Sequence, residues 1–596
     1  MEKIKKEHIY IPIFLIVSIM PLIIYGKIDI LDYLTYMNWD GSKAEIDFFS
    51  FYKICFSILM SFLLCILYIK NKKKFKIIEE TKEYKYIFIL TTFVIISFLI
   101  SEYKSISLFG FLFRYEGILA IIAYITILYI SINIFDNDKS IERLLYCLMF
   151  SYFIIALIGI MQYFGFDIFN SLRFQKMIIP QKHEYLVGNL KLFARKNEVV
   201  SSTIGNSNYV GYYYAITMPI FFILFLISNI RKQKFIYLIA TILGVVMLII
   251  TSSETGLIAA FLSILVFFIS YWKNFKINKK RNILISMMIL SSILAINYFN
   301  KGTVYEKVDK FKYKFIYENT ISEDKNLLQG IIFKENELSL KYKDKLLNLK
   351  YSNNKLSFLD DKNEKLYLAQ NVGERKGTFY ITDSRYNDLS VVFTELGQNN
   401  IKAILLEISE NVDISITIEN GVFKYINNAG KIIDPNEKVK VLFGEGKEEL
   451  LTSRIYIWSR AIPKILEKPL FGYGPDTFEI VFPNNDYIGL YKAYNTTNMI
   501  VDKPHNTYIQ VATNMGILSL ISITLLLIVY FKRYIKFLKD KTNSKNGKYY
   551  YAMTSSIISY LIAAIMYDST VVITPILCII LGIGIRLGIE NNNLEE

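Results

Sequence analysis

Apolar blocks recur along the chain, each close to the ~20 residues a helix needs to cross ~30 Å of hydrocarbon, with short basic runs between them. That rhythm restricts the fold more than any other feature, because it marks a polytopic membrane protein. Composition agrees: 53% of the 596 residues are hydrophobic, far above a soluble chain. A net charge of +15 raises the question of nucleic-acid binding. The lysines and arginines lie between apolar blocks, as in cytoplasmic loops, so no nucleic-acid partner is expected. Cys55, Cys65, Cys147 and Cys578 all fall within apolar blocks, without disulfide or metal spacing.

Twelve transmembrane helices are expected, at about 9–25, 48–69, 86–100, 114–136, 144–164, 203–227, 235–251, 257–272, 282–299, 507–531, 549–566 and 570–585. A cleaved signal peptide is disfavoured for the first, since bulky residues and Pro21 stand where a small-residue cleavage site belongs. Basic clusters at 70–76, 231–234, 273–281 and 532–548 follow the second, sixth, eighth and tenth spans. All are exits on the side of the N-terminus, which the positive-inside rule makes cytoplasmic. Both termini then face the cytoplasm, and the segment 300–505 faces outward.

The expected fold class is an all-α polytopic membrane protein with a β-rich extracytoplasmic insertion. Its parts are helices one to nine (1–300), the insertion (301–451), a catalytic loop (452–505) and helices ten to twelve (506–596). Within 310–441, runs such as Thr378–Thr382 and Ile414–Ile418 alternate with Asn/Asp/Gly turns, the pattern of a small β-sandwich. On fold-level analogy it is an accessory or glycan-binding module.

The stretch 452–520 concentrates chemistry-bearing residues. Arg454 and Trp458 stand at i and i+4 and share one helix face; Arg460 follows, then the Pro/Gly-rich turn 469–475, then His505 before an apolar helix. Imidazole takes and returns a proton near neutrality, so His505 suits a general base, with Asp502 nearby to bias it. Arg454 and Arg460 offer planar, permanently charged donors suited to a diphosphate. Asn206 and Asn208, in the turn opening the sixth span, either present backbone N–H groups to an anion or simply cap the helix. The topology brings Glu102, Arg114, Glu116, Glu254, Arg454, Arg460, His505 and Asp568 to the outer boundary. Such a ring suits a reaction between a lipid-borne anionic group and a polar acceptor; interfacial snorkelling and ion pairing would also place charges there. The chain carries no P-loop, GxSxG elbow, HExxH or paired-cysteine motif, so ATP-driven transport, serine hydrolysis and zinc chemistry lack support.

In order, GFLFRYEG (110–117), TIGNSNY (203–209), Arg454 to Trp458, PLFGYGPDTF (469–478) and His505-Asn506 with Gly516 resemble the O-antigen ligase and polymerase family of bacterial membrane glycan transferases. His505 and Gly516 keep that family's His-x10-Gly spacing, and Arg454 fits the place of its essential late arginine. The resemblance implies an undecaprenyl-diphosphate-linked oligosaccharide as donor and a glycan or protein as acceptor. Arginines would hold the diphosphate, with Arg114, Arg460, Trp458, Asn206, Asn208 and Glu254 lining the substrate site. His505 would activate the acceptor hydroxyl for an inverting attack, with no metal or nucleotide cofactor. One departure stands out. The family usually carries an arginine, in an Arg-x3-Leu pattern, where this chain has Glu254, so either Arg114 or Arg195 substitutes or the substrate differs.

Polymerase is slightly favoured over ligase, because a Lys-, Ile-, Asn- and Tyr-rich composition suggests an AT-rich bacterial genome, and many such bacteria lack lipopolysaccharide. Transfer to a protein hydroxyl is the alternative within this chemistry. A glycan-lipid flippase is the non-enzymatic rival; it would show ionisable groups near the bilayer midplane or broken helices in repeat-related pairs, whereas the charges here concentrate at one face. A membrane sensor working through its β-rich part is the third.

Overall fold

The computed structural model describes residues 6–76, 78, 80–189, 200–275, 327–370, 377–435, 439–539 and 547–592. The expected ninth span, 282–299, and Arg195 lie outside these residues. Among them, eight helices are long and apolar enough to cross a membrane, and two shorter apolar ones, Glu7–Leu22 and Ile118–Ile134, lie where the first and fourth spans were expected. The eleventh expected span is the helix Gly547–Ala563, which is not among those eight. Its polar residues face protein: Ser556 and Ser559 donate to the carbonyls of Ile216 and Ala215 at 2.5 and 2.7 Å. Small hydroxyl side chains let two helices approach closely and bond across the contact. The partner is Ser207–Ile227, whose side chains are buried almost throughout and which also packs against Arg231–Ile250 and Glu254–Phe275. It forms the centre of the bundle.

The helical run Thr507–Lys539 packs along Lys82–Ile100 and is broken at Gly516 (φ +81°, ψ 167°). A break at membrane depth frees backbone groups that lipid cannot satisfy. Here the turn 469–475 satisfies them: Tyr473 and Gly474 donate to the carbonyls of Thr513 and Asn514 at 3.1 and 2.8 Å, and Ile517 N–H donates to Pro469 O at 2.8 Å. The fit admits no side chain, since a Cβ at Gly516 would stand 2.1 Å from Leu470 O. Gly516→Ala is therefore expected to destabilise the protein by about 1–3 kcal/mol, read as a lower unfolding temperature in detergent.

The β-rich part is two antiparallel meanders, of five strands between Gly330 and Leu366 and seven between Leu368 and Ile433. Alternate residues such as Leu338, Leu340 and Tyr342 from the first sheet and Leu406, Ile414 and Ile416 from the second share one apolar core. Tight hairpins at Lys343-Asp344 and Asn353-Asn354 use left-handed pairs, matching type I′ geometry. The sheets are clipped to the chain leading to His505. Thr497 Oγ1 donates to Asp413 O at 2.6 Å, and Asp413 N–H donates back at 3.0 Å.

Candidate functional site

Helix Arg454–Glu467 begins after three consecutive non-glycine residues with left-handed backbone, Leu451, Thr452 and Ser453 (φ +54°, +58° and +63°). Phe113, Tyr115, Ser252, Asp476 and His505 also have positive φ (+64°, +54°, +52°, +58° and +49°). Such conformations persist only where surrounding structure enforces them, and those at 451–453 and His505 flank the residues described next.

His505 lies at its centre. Its Nδ1 is 3.0 Å from Asp568 Oδ2, in the turn between Gly547–Ala563 and Ile573–Asn592. A carboxylate only accepts, so Nδ1 carries the hydrogen, and in the neutral imidazole Nε2 keeps the lone pair. Asp568 is buried, while the His505 side chain is 35% exposed. Asn506 N–H donates to the other Asp568 oxygen at 3.3 Å. Trp458 donates its indole N–H to Pro504 O at 2.9 Å and so fixes the backbone just before the histidine.

Arg454 reaches the same turn from the other side. Its Nη2 donates to Met566 O and its Nη1 to Leu451 O, each at 3.2 Å; the buried Nε has no hydrogen-bond partner, and no carboxylate pairs with the guanidinium, among the described residues. Lys503 adds a second cation, 3.2 Å from Asp502. Burial works against its charge, but Tyr209, Asp502 and Asp568 outweigh it and raise its pKa.

Arg114 and Arg460 stand differently. Arg114 is buried against Asp476, Nε to Oδ1 at 2.7 Å, and also donates to Asp502 O. Asp476 further accepts from the N–H groups of Phe111 (2.6 Å) and Glu116 (3.1 Å). Arg460 is buried between Asp486 (3.0 Å) and Glu448 (3.8 Å). Both guanidiniums are engaged by protein carboxylates. Glu116 accepts from Ser569, beside Asp568, and from Tyr124 at 3.0 Å; burial first, and Asp476 after it, push its carboxyl up to about 7. Ser569 N–H also donates to Gln510 at 2.9 Å. The Glu254 turn docks here as well, Ser253 Oγ lying 2.7 Å from the Tyr567 hydroxyl, with the Glu254 side chain exposed. Asn206 caps its own helix, its Oδ1 accepting from Asn208 N–H at 2.8 Å and Tyr209 N–H at 3.4 Å; the Asn206 and Asn208 side chains are exposed. Glu102 pairs with Lys468 at 2.5 Å.

Sequence reasoning thus named His505, Arg454 and Trp458, which the structure brings together. Asp568 appeared there only as one of a ring of charges, and Asp502 was expected to bias the histidine. The direct bond comes from Asp568, while Asp502 bonds Lys503 and lies near enough to His505 to sense its charge. Asp476 and Lys503 were not singled out, although Asp476 stands inside the motif 469–478 and Lys503 two residues before His505.

Replacing Trp458 with Phe keeps the ring and removes the bond to Pro504. That bond contributes about 1 kcal/mol, so turnover is expected to fall roughly five-fold with protein level unchanged, measured per unit of membrane protein.

The arrangement defines a class: a multi-pass membrane protein with a histidine–aspartate pair and an arginine that no carboxylate pairs among the described residues, at the edge of its helical bundle. Residues 390–524, from the second sheet through His505 and Gly516, match the family model described as O-antigen ligase, which supports the family resemblance carried by the motifs. No curated protein matches the chain.

Proposed function

We propose that this protein transfers or polymerises undecaprenyl-diphosphate-linked glycan repeat units at the outer face of the bacterial plasma membrane. The observation carrying this reading is the His505–Asp568 pair beside Arg454, a base and an anion-binding group on opposite sides of one turn. In the proposed step an acceptor hydroxyl gives its proton to His505 Nε2. Its oxygen bonds to the anomeric carbon as the bond from that carbon to the diphosphate breaks, with inversion. The electron pair leaves with the lipid diphosphate, whose charge Arg454 and Lys503 offset. Asp568 holds the imidazole in the required tautomer and stabilises the imidazolium. Arg114 and Arg460, read earlier as substrate groups, act here as braces of the site, and Arg454 takes the diphosphate. Glu254 stands on the neighbouring turn where the family usually has an arginine, and in this reading Arg454 and Lys503 supply the positive charge instead. Domain boundaries near 301, 451 and 505, the outward placing of the β-rich part and cytoplasmic termini belong to the same proposal.

The test is deletion in the native host, following the surface glycan and the pool of lipid-linked units. Loss of surface glycan with units accumulating on the outer leaflet is expected. Single repeats on the acceptor would identify a polymerase, and bare acceptor a ligase or a protein glycosyltransferase. Accumulation confined to the cytoplasmic leaflet would overturn the reading in favour of a flippase.

A further inference from the structure

A cavity of about 780 Å³, which His505 does not line, opens where three parts of the chain meet. The turn between strands Lys27–Ile30 and Ala44–Asp47 gives Trp39; the seven-stranded sheet gives Asn428 and Lys431; the segment after Asp476 gives Glu479, Asn485 and Tyr487. Glu479 is 1% exposed, and neither carboxylate oxygen has a hydrogen-bond partner among the described residues. Burial pushes its carboxyl well above the usual range, so it stands as a neutral acid able to donate and accept. A buried polar group left without partners is unfavourable, and a hydroxyl-bearing ligand would satisfy it.

The aromatic walls are held in place. Trp39 lies 5.9 Å from Phe111 and 6.0 Å from Phe113, and its N–H donates to Glu45 at 3.2 Å. Tyr487 packs 4.8 Å from Tyr425 of the sheet. Fixed aromatic faces beside amide and carboxyl groups suit a ligand with apolar C–H faces and hydroxyl edges. Acidic and basic side chains line the cavity in near-equal number, which disfavours a polyanion.

The cavity is also coupled to the reacting centre. Asn484 on its wall accepts from Val501 N–H at 2.8 Å. From Ile500, also lining it, the chain reaches His505 in five residues, at most about 17 Å when extended. We propose that this cavity binds an oligosaccharide segment of the glycan some distance from its reacting end, so that the β-rich part forms one wall of a glycan-recognition site. The inference rests on the glycan-transfer reading above.

The experiment uses full-length protein in nanodiscs, titrated with oligosaccharides of defined length cut from the host's surface polysaccharide. Binding is followed by calorimetry. Glu479→Met removes the unpartnered carboxyl, and Asn428→Trp narrows the mouth from an exposed turn. Both are expected to raise Kd ten-fold or more, while His505→Ala binds like wild type. Glu479→Met should also unfold at the same or a higher temperature, which a merely structural role would not allow. In a transfer assay, rescue of Glu479→Met by excess lipid-linked unit would assign the cavity to the donor, and rescue by excess acceptor to the acceptor. Equal Kd for wild type and both cavity variants, or no binding by wild type, overturns the proposal. Retained surface glycan in His505→Ala would instead sink the catalytic reading, leaving the Kd contrast to decide the cavity.

Discussion

His505→Ala is expected to cut glycan transfer by about 10²- to 10⁴-fold, the usual contribution of a positioned general base, with membrane protein level unchanged. The side chain is partly exposed and, among the described residues, its one hydrogen bond runs to Asp568, which keeps the Asn506 N–H as a partner, so its removal is expected to leave the fold intact. Asp568→Asn should fall in the same range for a different reason. An amide donating to Nδ1 would move the hydrogen to Nε2 and leave the base protonated on the wrong nitrogen. Purified protein, a lipid-linked donor and a labelled acceptor suffice to measure both. Wild-type turnover in either variant would remove the histidine from the mechanism.

Arg454→Ala is the second large effect. With no carboxylate partner among the described residues, this guanidinium is free to meet an anion, and charged hydrogen bonds contribute about 1.5–3 kcal/mol each. Turnover should fall roughly 10²- to 10³-fold, and Arg454→Lys should recover only part of it, since an ammonium lacks the planar fork. Arg114→Ala and Arg460→Ala should behave otherwise. Each strands a buried carboxylate, which destabilises by about 3–5 kcal/mol, so immunoblots should show less protein rather than inactive protein. Equal protein levels with selective loss of activity in those two variants would restore them to the substrate site.

The helices were legible because lipid imposes a simple rule on long apolar runs, and the described ones fall where those runs are. Gly547–Ala563 shows the limit: surrounded by protein, it needs no apolar exterior and its serines bond neighbouring backbone instead. The motif residues His505, Gly516 and 469–475 were visible, but not that the turn docks into the broken helix at Gly516. Pairing was the least legible property. Arg114 and Arg460 looked like available cations, yet their partners Asp476 and Asp486 are brought in by tertiary structure. Asp568 lies 63 residues from His505 and shares no motif with it. For Asn206, local chemistry allowed a cap or an anion site, and its own backbone has taken the side chain.

On the proposed mechanism, the position of Asp568 also sets when transfer can first occur. Chains are made from the N-terminus, and His505 and Arg454 emerge well before the turn at Tyr567–Ser569 that completes their surroundings. Until Gly547–Ala563 and Ile573–Asn592 are both in the bilayer, the imidazole has no aspartate and Arg454 has no Met566 carbonyl to hold it. On the proposed mechanism, a chain made only as far as His505 would lack the aspartate that orients its base.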